Sequence, residues 1–188
     1  MRCHRKLVAG VGTVASTLSS PGWAHPSAAW NHAPSFATTE LRLDETYDKF
    51  HDRTYVALEG SRVKGDPLVF TAAYSYAGRT LVRPPTTLLL SFLSSSEQWR
   101  FREQHDLILL LDEAQRVTLP TTEGGKALGS GEVDEWVFAT ISVKTLSRLA
   151  RAKRVEGQLA SAEFQLTEAQ LMGLRGIALR LVPLEGMP

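Results

Sequence analysis

A mainly β fold (β-rich α+β) is the class this 188-residue sequence predicts: an antiparallel β-sandwich or curled sheet with two helices near the C-terminus, the last packed on the sheet. Three observations point there. Short runs rich in β-branched and aromatic residues recur from about Leu41 onward, divided by Gly, Pro and Ser at hairpin spacing. Helical periodicity with capping residues is confined to the end of the chain. Alternating strand–helix units are missing, which argues against a doubly wound parallel sheet.

Taken in order, Arg53 to Glu59 (RTYVALE) and Leu68 to Ala77 (LVFTAAYSYA) read as strands, with Gly60 and Gly65-Asp66-Pro67 between them. Pro84-Pro85 breaks the chain before Thr86 to Leu93 (TTLLLSFL), an apolar run of the kind buried on both faces. Ser94-Ser95-Ser96 reads as a loop, and Trp99 with Phe101 as one face of a short strand. Leu107 to Leu111 and Arg116 to Leu119 flank Asp112-Glu113-Ala114-Gln115 as a hairpin turn. Thr121 to Gly131, with four glycines, reads as a flexible loop. Val133 to Ile141 (VDEWVFATI) carries bulky apolar groups on both faces and predicts a central strand. Seven to nine strands are expected.

Ser142 caps a first helix, with Val143, Leu146, Leu149 and Ala150 at helical spacing and Arg148, Arg151 and Lys153 complementing its dipole. Val155 to Leu159 and Ala162 to Leu166 form a second hairpin. Thr167-Glu168-Ala169-Gln170 is a capping box, with Leu166 and Leu171 as its hydrophobic staple. Leu171, Leu174, Ala178 and Leu181 make the apolar stripe of this last helix, and Pro183 ends it. Gly173 and Gly176 each cost a helix about 1 kcal/mol relative to Ala, so their presence predicts close packing on the sheet.

The first residues stand apart from that domain. Arg2, Arg5 and Lys6 precede a short apolar stretch, Leu7 to Leu18, and then Pro21-Gly22-Trp23-Ala24, the three-part pattern of a secretory signal. The expected organisation is a signal peptide at 1–24 cleaved between Ala24 and His25, a flexible arm at 25–40 containing Trp30 and Phe36, and one β-rich domain at 41–188. Cleavage after Ala29 is the second choice. No later apolar run approaches the roughly 18 residues of a membrane helix. The expected location is periplasmic or secreted.

From Glu132 to Leu181 the chain orders a strand ending Ile141-Ser142, a helix with Leu149-Ala150, then Val155-Glu156, Glu163-Phe164-Gln165-Leu166 and a capped helix. This order resembles uncharacterised exported bacterial domains. The resemblance implies export and a bacterial source, and it brings no activity.

Loss of the signal would remove three basic and no acidic residues, taking the formal charge from +1 to −2. That balance argues against nucleic acid as a partner. Cys3, the one cysteine, leaves with the signal, so thiolate chemistry is excluded from the mature domain. Gly129-Ser130-Gly131 lacks nucleophile-elbow spacing, and Gly124-Gly125-Lys126 is followed by Ala127 rather than the Ser or Thr of a phosphate loop. The adjacent carboxylates Asp112 and Glu113 read as solvated turn residues. Asp134 and Glu135 face opposite ways, and Glu135 is expected to be partly buried or paired with an arginine. Trp99, Phe101, Trp136 and Phe138 read as sheet-face core, with a sugar or lipid cleft as the alternative if one face is left uncovered. The basic run Arg148, Arg151, Lys153 and Arg154 reads as a solvated helix face, with anion binding as its alternative.

The leading functional expectation is a non-enzymatic binding domain that meets a protein or small ligand through a sheet face or edge, with no cofactor and no catalytic residues. One alternative is copper binding by His25, whose amine and imidazole would chelate together once cleavage exposes them. Another is a hydrolase whose site is assembled from dispersed residues.

Overall fold

The structure, a computed structural model, describes residues 42–182. The expected signal segment, the arm with Ala24 and His25 before and after its cleavage point, and Pro183 lie outside the described residues. The elements are β1 (Leu43–Asp48), β2 (Arg53–Leu58), β3 (Ser61–Arg62), β4 (Val69–Ala77), β5 (Thr87–Ser96), β6 (Leu107–Leu111), β7 (Gln115–Leu119), β8 (Thr122–Ala127), β9 (Val133–Ser142), α1 (Val143–Arg151), β10 (Val155–Leu159), β11 (Ala162–Gln165) and α2 (Glu168–Leu181). A seven-stranded sheet runs in the order β1-β2-β4-β5-β9-β8, with the short β3 also on β4; a four-stranded sheet runs β11-β10-β6-β7. Every pairing is antiparallel. The fold is therefore the mainly β architecture expected, with both helices at the C-terminal end.

The inner faces of the two sheets meet through aromatic rings. Phe92 on β5 lies 5.4 Å from Phe70 on β4 and 5.1 Å from Phe164 on β11, both tilted. The β3–β11 corner is stitched by the backbone, where Lys64 and Gln165 exchange N–H···O bonds of 2.9 and 2.8 Å. The helices complete the second layer. Gly173 of α2 packs against Leu58 of β2, and Arg180 of α2 reaches Glu45 of β1 at 3.2 Å. The seven-stranded sheet thus has one face covered by the small sheet and α2.

Both helix starts form as their sequences dictate. The Ser142 hydroxyl accepts the Thr145 N–H, and Thr167 with Gln170 makes the reciprocal capping box. Gln170 is fully buried because its amide also donates to the Ser61 carbonyl and hydroxyl, tying α2 to β3. The two helical glycines differ. A Cβ on Gly173 would lie 2.4 Å from Leu58 Cδ1, whereas the nearest atom to one on Gly176 is Leu43 Cδ1 at 3.6 Å. Close packing therefore accounts for Gly173 and not for Gly176. Gly176→Ala is expected to raise stability by about 1 kcal/mol through helix propensity. Gly173→Ala is expected to lower it by about 1–2 kcal/mol, because Leu58 must leave its buried site. Urea denaturation of the two variants checks the opposite signs.

Several expectations are corrected. The described strands number eleven against the seven to nine expected; a glycine run read as a loop is itself a strand, and a serine run read as a loop lengthens another. Ser94-Ser95-Ser96 is the end of β5, held by its ladder to β9. Residues 122–127, taken as flexible, form β8, an edge strand paired to β9 along its length; the remaining Gly129-Ser130-Gly131 is its hairpin turn. Trp99 and Phe101 lie in an irregular connection rather than a strand. The run Leu88 to Leu93 buries every apolar residue of its inner side, whereas on the other side Ser91 is buried but Leu89 and Leu93 remain half-buried.

Candidate binding surface

Residues paired across an antiparallel ladder project to the same side of a sheet, so the register fixes which side chains share a face. Val69, Leu93 and Trp136 form one row across β4, β5 and β9. Thr71, Ser91 and Phe138 form the next, and Ala73, Leu89 and Thr140 the third. Their inner-face neighbours Phe70, Ala72, Leu90, Phe92, Val137 and Ala139 are at most 1% exposed. Val69, Leu89, Leu93, Trp136 and Phe138 are instead half-buried and do not pack against the core. They form an apolar patch on the outer face of the sheet.

Charged groups keep to the rim of this patch, while the buried hydroxyl residues Thr71 and Ser91 lie in its middle row. Arg62 pairs in register beside Val69, and Lys126 and Asp134 face each other beyond Trp136, with the Ser95 hydroxyl donating to Asp134 at 2.7 Å. No charged side chain interrupts the three central rows on β4, β5 and β9. Aliphatic side chains on β4 and β5, two aromatics on β9 and charge at the edge together match the composition of a protein–protein interface.

The edge strand β8 explains its own glycines. The Trp136 indole lies over Gly124 on the outer side, where a Cβ would meet Nε1 at 2.5 Å. Trp99 lies over Gly125, where a Cβ would meet Cζ3 at 2.4 Å. Gly125 pairs with Glu135, so this second indole covers the inner side. Two rings therefore clasp the strand, and any side chain at either position would displace one of them. Of the four aromatics singled out by sequence, Phe101 alone is core, at 2% exposure. Trp99 is exposed, and Trp136 and Phe138, half-buried, belong to the face that no described element covers.

Glu135 organises the end of the sandwich beside Trp99. It is 2% exposed, and its two carboxylate oxygens accept the backbone N–H groups of Arg100 at 2.6 Å and Phe101 at 3.0 Å. Its partners are thus main-chain donors of Arg100 and its neighbour; the Arg100 guanidinium turns instead to Asp66, at 2.6 and 3.1 Å, and to the Ser94 hydroxyl. Asp66 also accepts the Leu68 N–H. This fully engaged network leaves no carboxylate aimed at open space, and its role is to shape the connection between the sheets.

The other sequence candidates are dispersed. Asp112 is more than a solvated turn residue: its Oδ1 accepts the N–H groups of Lys153 and Arg154 at 2.9 Å each, fixing the entry to β10. Glu113 pairs with Arg154 at 2.7 Å. Both residues hold positive φ, 50° and 62°, as a tight hairpin with a right-handed twist requires. His51 sits on Asp48 at 2.6 Å; that bond, and then the Phe50 N–H, hold the Asp48 carboxyl below its usual range. His105 is remote in the chain, its Nδ1 buried without a partner among the described residues. No group of three or more His, Cys, Asp or Glu among the described residues could hold a metal. No helix among them is long and apolar enough to cross a membrane.

Sequence reasoning missed Val69, Leu89 and Leu93 as surface residues. The available signal was the alternation inside TTLLLSFL, where Leu89, Ser91 and Leu93 share a side with small polar residues. No protein-family model, curated protein or solved structure matches the chain, so the functional reading rests on the geometry of this face.

Proposed function

We propose that the chain is an exported, non-enzymatic binding domain whose partner is another protein, docked through a flat apolar surface onto the outer face of the seven-stranded sheet. The observation that carries the reading is the set Val69, Leu89, Leu93, Trp136 and Phe138, apolar, contiguous and outside the core. Sites for small ligands are concave. Two concavities, one beside α1 and one over Gly157 on the small sheet, are lined by other residues than these five. A sheet face whose middle rows carry no charge and whose β9 side is aromatic suits a macromolecular surface instead. The basic residues ahead of Leu7 to Leu18 and the small residues around Ala24 support export of the domain.

A photo-cross-linking amino acid at position 138, in protein exported from a bacterial host, tests the reading. The expected result is one discrete cross-linked protein, lost when Leu93→Lys is added, whose purified form binds the purified domain. The same probe at Gln158, exposed on the small sheet, should give no such product. No product from position 138, or equal products from both positions, would overturn the proposal.

A further inference from the structure

The C-terminal end of α1 is capped from outside the helix. Arg175 of α2 donates from Nε to the Ala150 carbonyl at 3.0 Å and from Nη2 to the Ala152 carbonyl at 3.1 Å. The charge complement that the end of this helix calls for is therefore supplied by Arg175. Arg148 and Arg151, in the last turn, share that role with Arg175.

Those two arginines and Lys144 recur at i, i+4 and i+7 and so share one face of α1. They line a groove of about 430 Å³ between α1 and the β6–β7 hairpin, with Asp112, Gln115 and Val182 among its other walls. Arg100, Arg154, Arg175 and Arg180 each sit on a carboxylate. By contrast Arg148 meets the neutral amide oxygen of Gln115 at 3.3 Å, and neither Lys144 nor Arg151 has an acidic partner among the described residues. Asp112 is the acid of the lining, and its Oδ1 is already taken by two backbone N–H groups. Like charges one turn apart repel weakly, so an anion laid across the three cations would relieve a small but real repulsion.

We propose that this groove binds a short linear oligophosphate, a chain of three or more phosphoryl groups laid along α1. A rise of about 1.5 Å per residue places Lys144 and Arg151 about 10 Å apart along the axis. One phosphate reaches one or two of the cations; a chain of them reaches all three. The guanidinium groups of Arg148 and Arg151 supply paired donors to phosphoryl oxygens, and Lys144 supplies a point charge. With its amide oxygen engaged by Arg148, Gln115 keeps its N–H₂ as a further donor. The site is separate from the outer sheet face and does not depend on the protein-docking reading.

Calorimetric titration of the parent protein with tripolyphosphate at low salt tests the assignment. Saturable binding is expected, weakened about tenfold or more by Arg148→Gln and by Arg151→Gln, each losing a charge-assisted pair. Lys153→Gln, one turn along the surface and outside the groove lining, should bind as the parent does. Orthophosphate should bind at least about tenfold more weakly than tripolyphosphate, since it spans fewer of the cations. The proposal fails if the parent gives no saturable heat, if Lys153→Gln weakens binding as much as Arg148→Gln, or if orthophosphate binds as tightly as the chain. Circular dichroism and urea midpoints confirm that the exposed glutamine variants remain folded.

Discussion

Replacing Glu135 with alanine is expected to lower stability by about 3 kcal/mol and to free the connection between β5 and β6. The carboxylate accepts two main-chain N–H groups at 2% exposure, and hydrogen bonds to a charged group contribute roughly 1.5–3 kcal/mol each. Without it, the Arg100 and Phe101 amides lose their acceptor in a site closed to water, and the Phe101 ring loses the backbone anchor that seats it in the core. Glu135→Gln should rescue only part of the loss, because an amide oxygen can replace one carboxylate oxygen but the amide N–H₂ cannot accept from the other donor. Amide hydrogen exchange reads the effect at named positions. Arg100 and Phe101 should exchange faster by orders of magnitude while the β5–β9 ladder stays protected; unchanged protection at those two amides would refute the anchoring role.

The second large effect is expected at Gly157. A Cβ there would lie 2.1 Å from Phe164 Cζ and within 2.7 Å of two further ring atoms. The ring cannot retreat, since it is 4% exposed and lies 5.1 Å from Phe92 across the sandwich. Gly157→Ala should therefore part the sheets at their central aromatic contact and cost about 3 kcal/mol, at the upper end of overpacking effects. Gly157→Ala combined with Phe164→Leu should recover part of that loss, since the smaller side chain vacates the space the methyl needs. Urea midpoints of the single and double variants give the comparison; a double variant no better than the sum of its parts would show the steric account to be wrong.

The elements legible in the sequence are those whose signals are local. The caps of α1 and α2, the Asp112-Glu113 turn and the β10–β11 hairpin each depend on residues a few positions apart, and each forms where its residues say. What was illegible depends on partners distant in the chain. Gly124 and Gly125 look like loop residues until Trp136 and Trp99 are seen resting on them. Trp99 and Phe101 show strand-like alternation, but Glu135, 34 residues from Phe101, holds that segment in a bend. The serines ending β5 are strand residues because β9 supplies their ladder, which tertiary pairing decides over propensity. The surface was half legible for the same reason. Trp136 and Phe138 drew attention as aromatics, but whether a sheet face is covered depends on where α2 and the small sheet settle, and they settle on the other side.

The seven-stranded sheet carries two apolar faces, one packed by the small sheet and α2 and one that we propose is left for a partner. The most direct test makes the same substitution on each face of neighbouring strands, Phe92→Thr inside and Phe138→Thr outside, and compares their unfolding free energies. This division of the two faces predicts a loss of more than about 3 kcal/mol for Phe92→Thr and no more than about 1 kcal/mol for Phe138→Thr, since only the first empties a packed core. Equal losses at the two positions would contradict it, by showing that the outer face is itself part of the packing that holds the domain together.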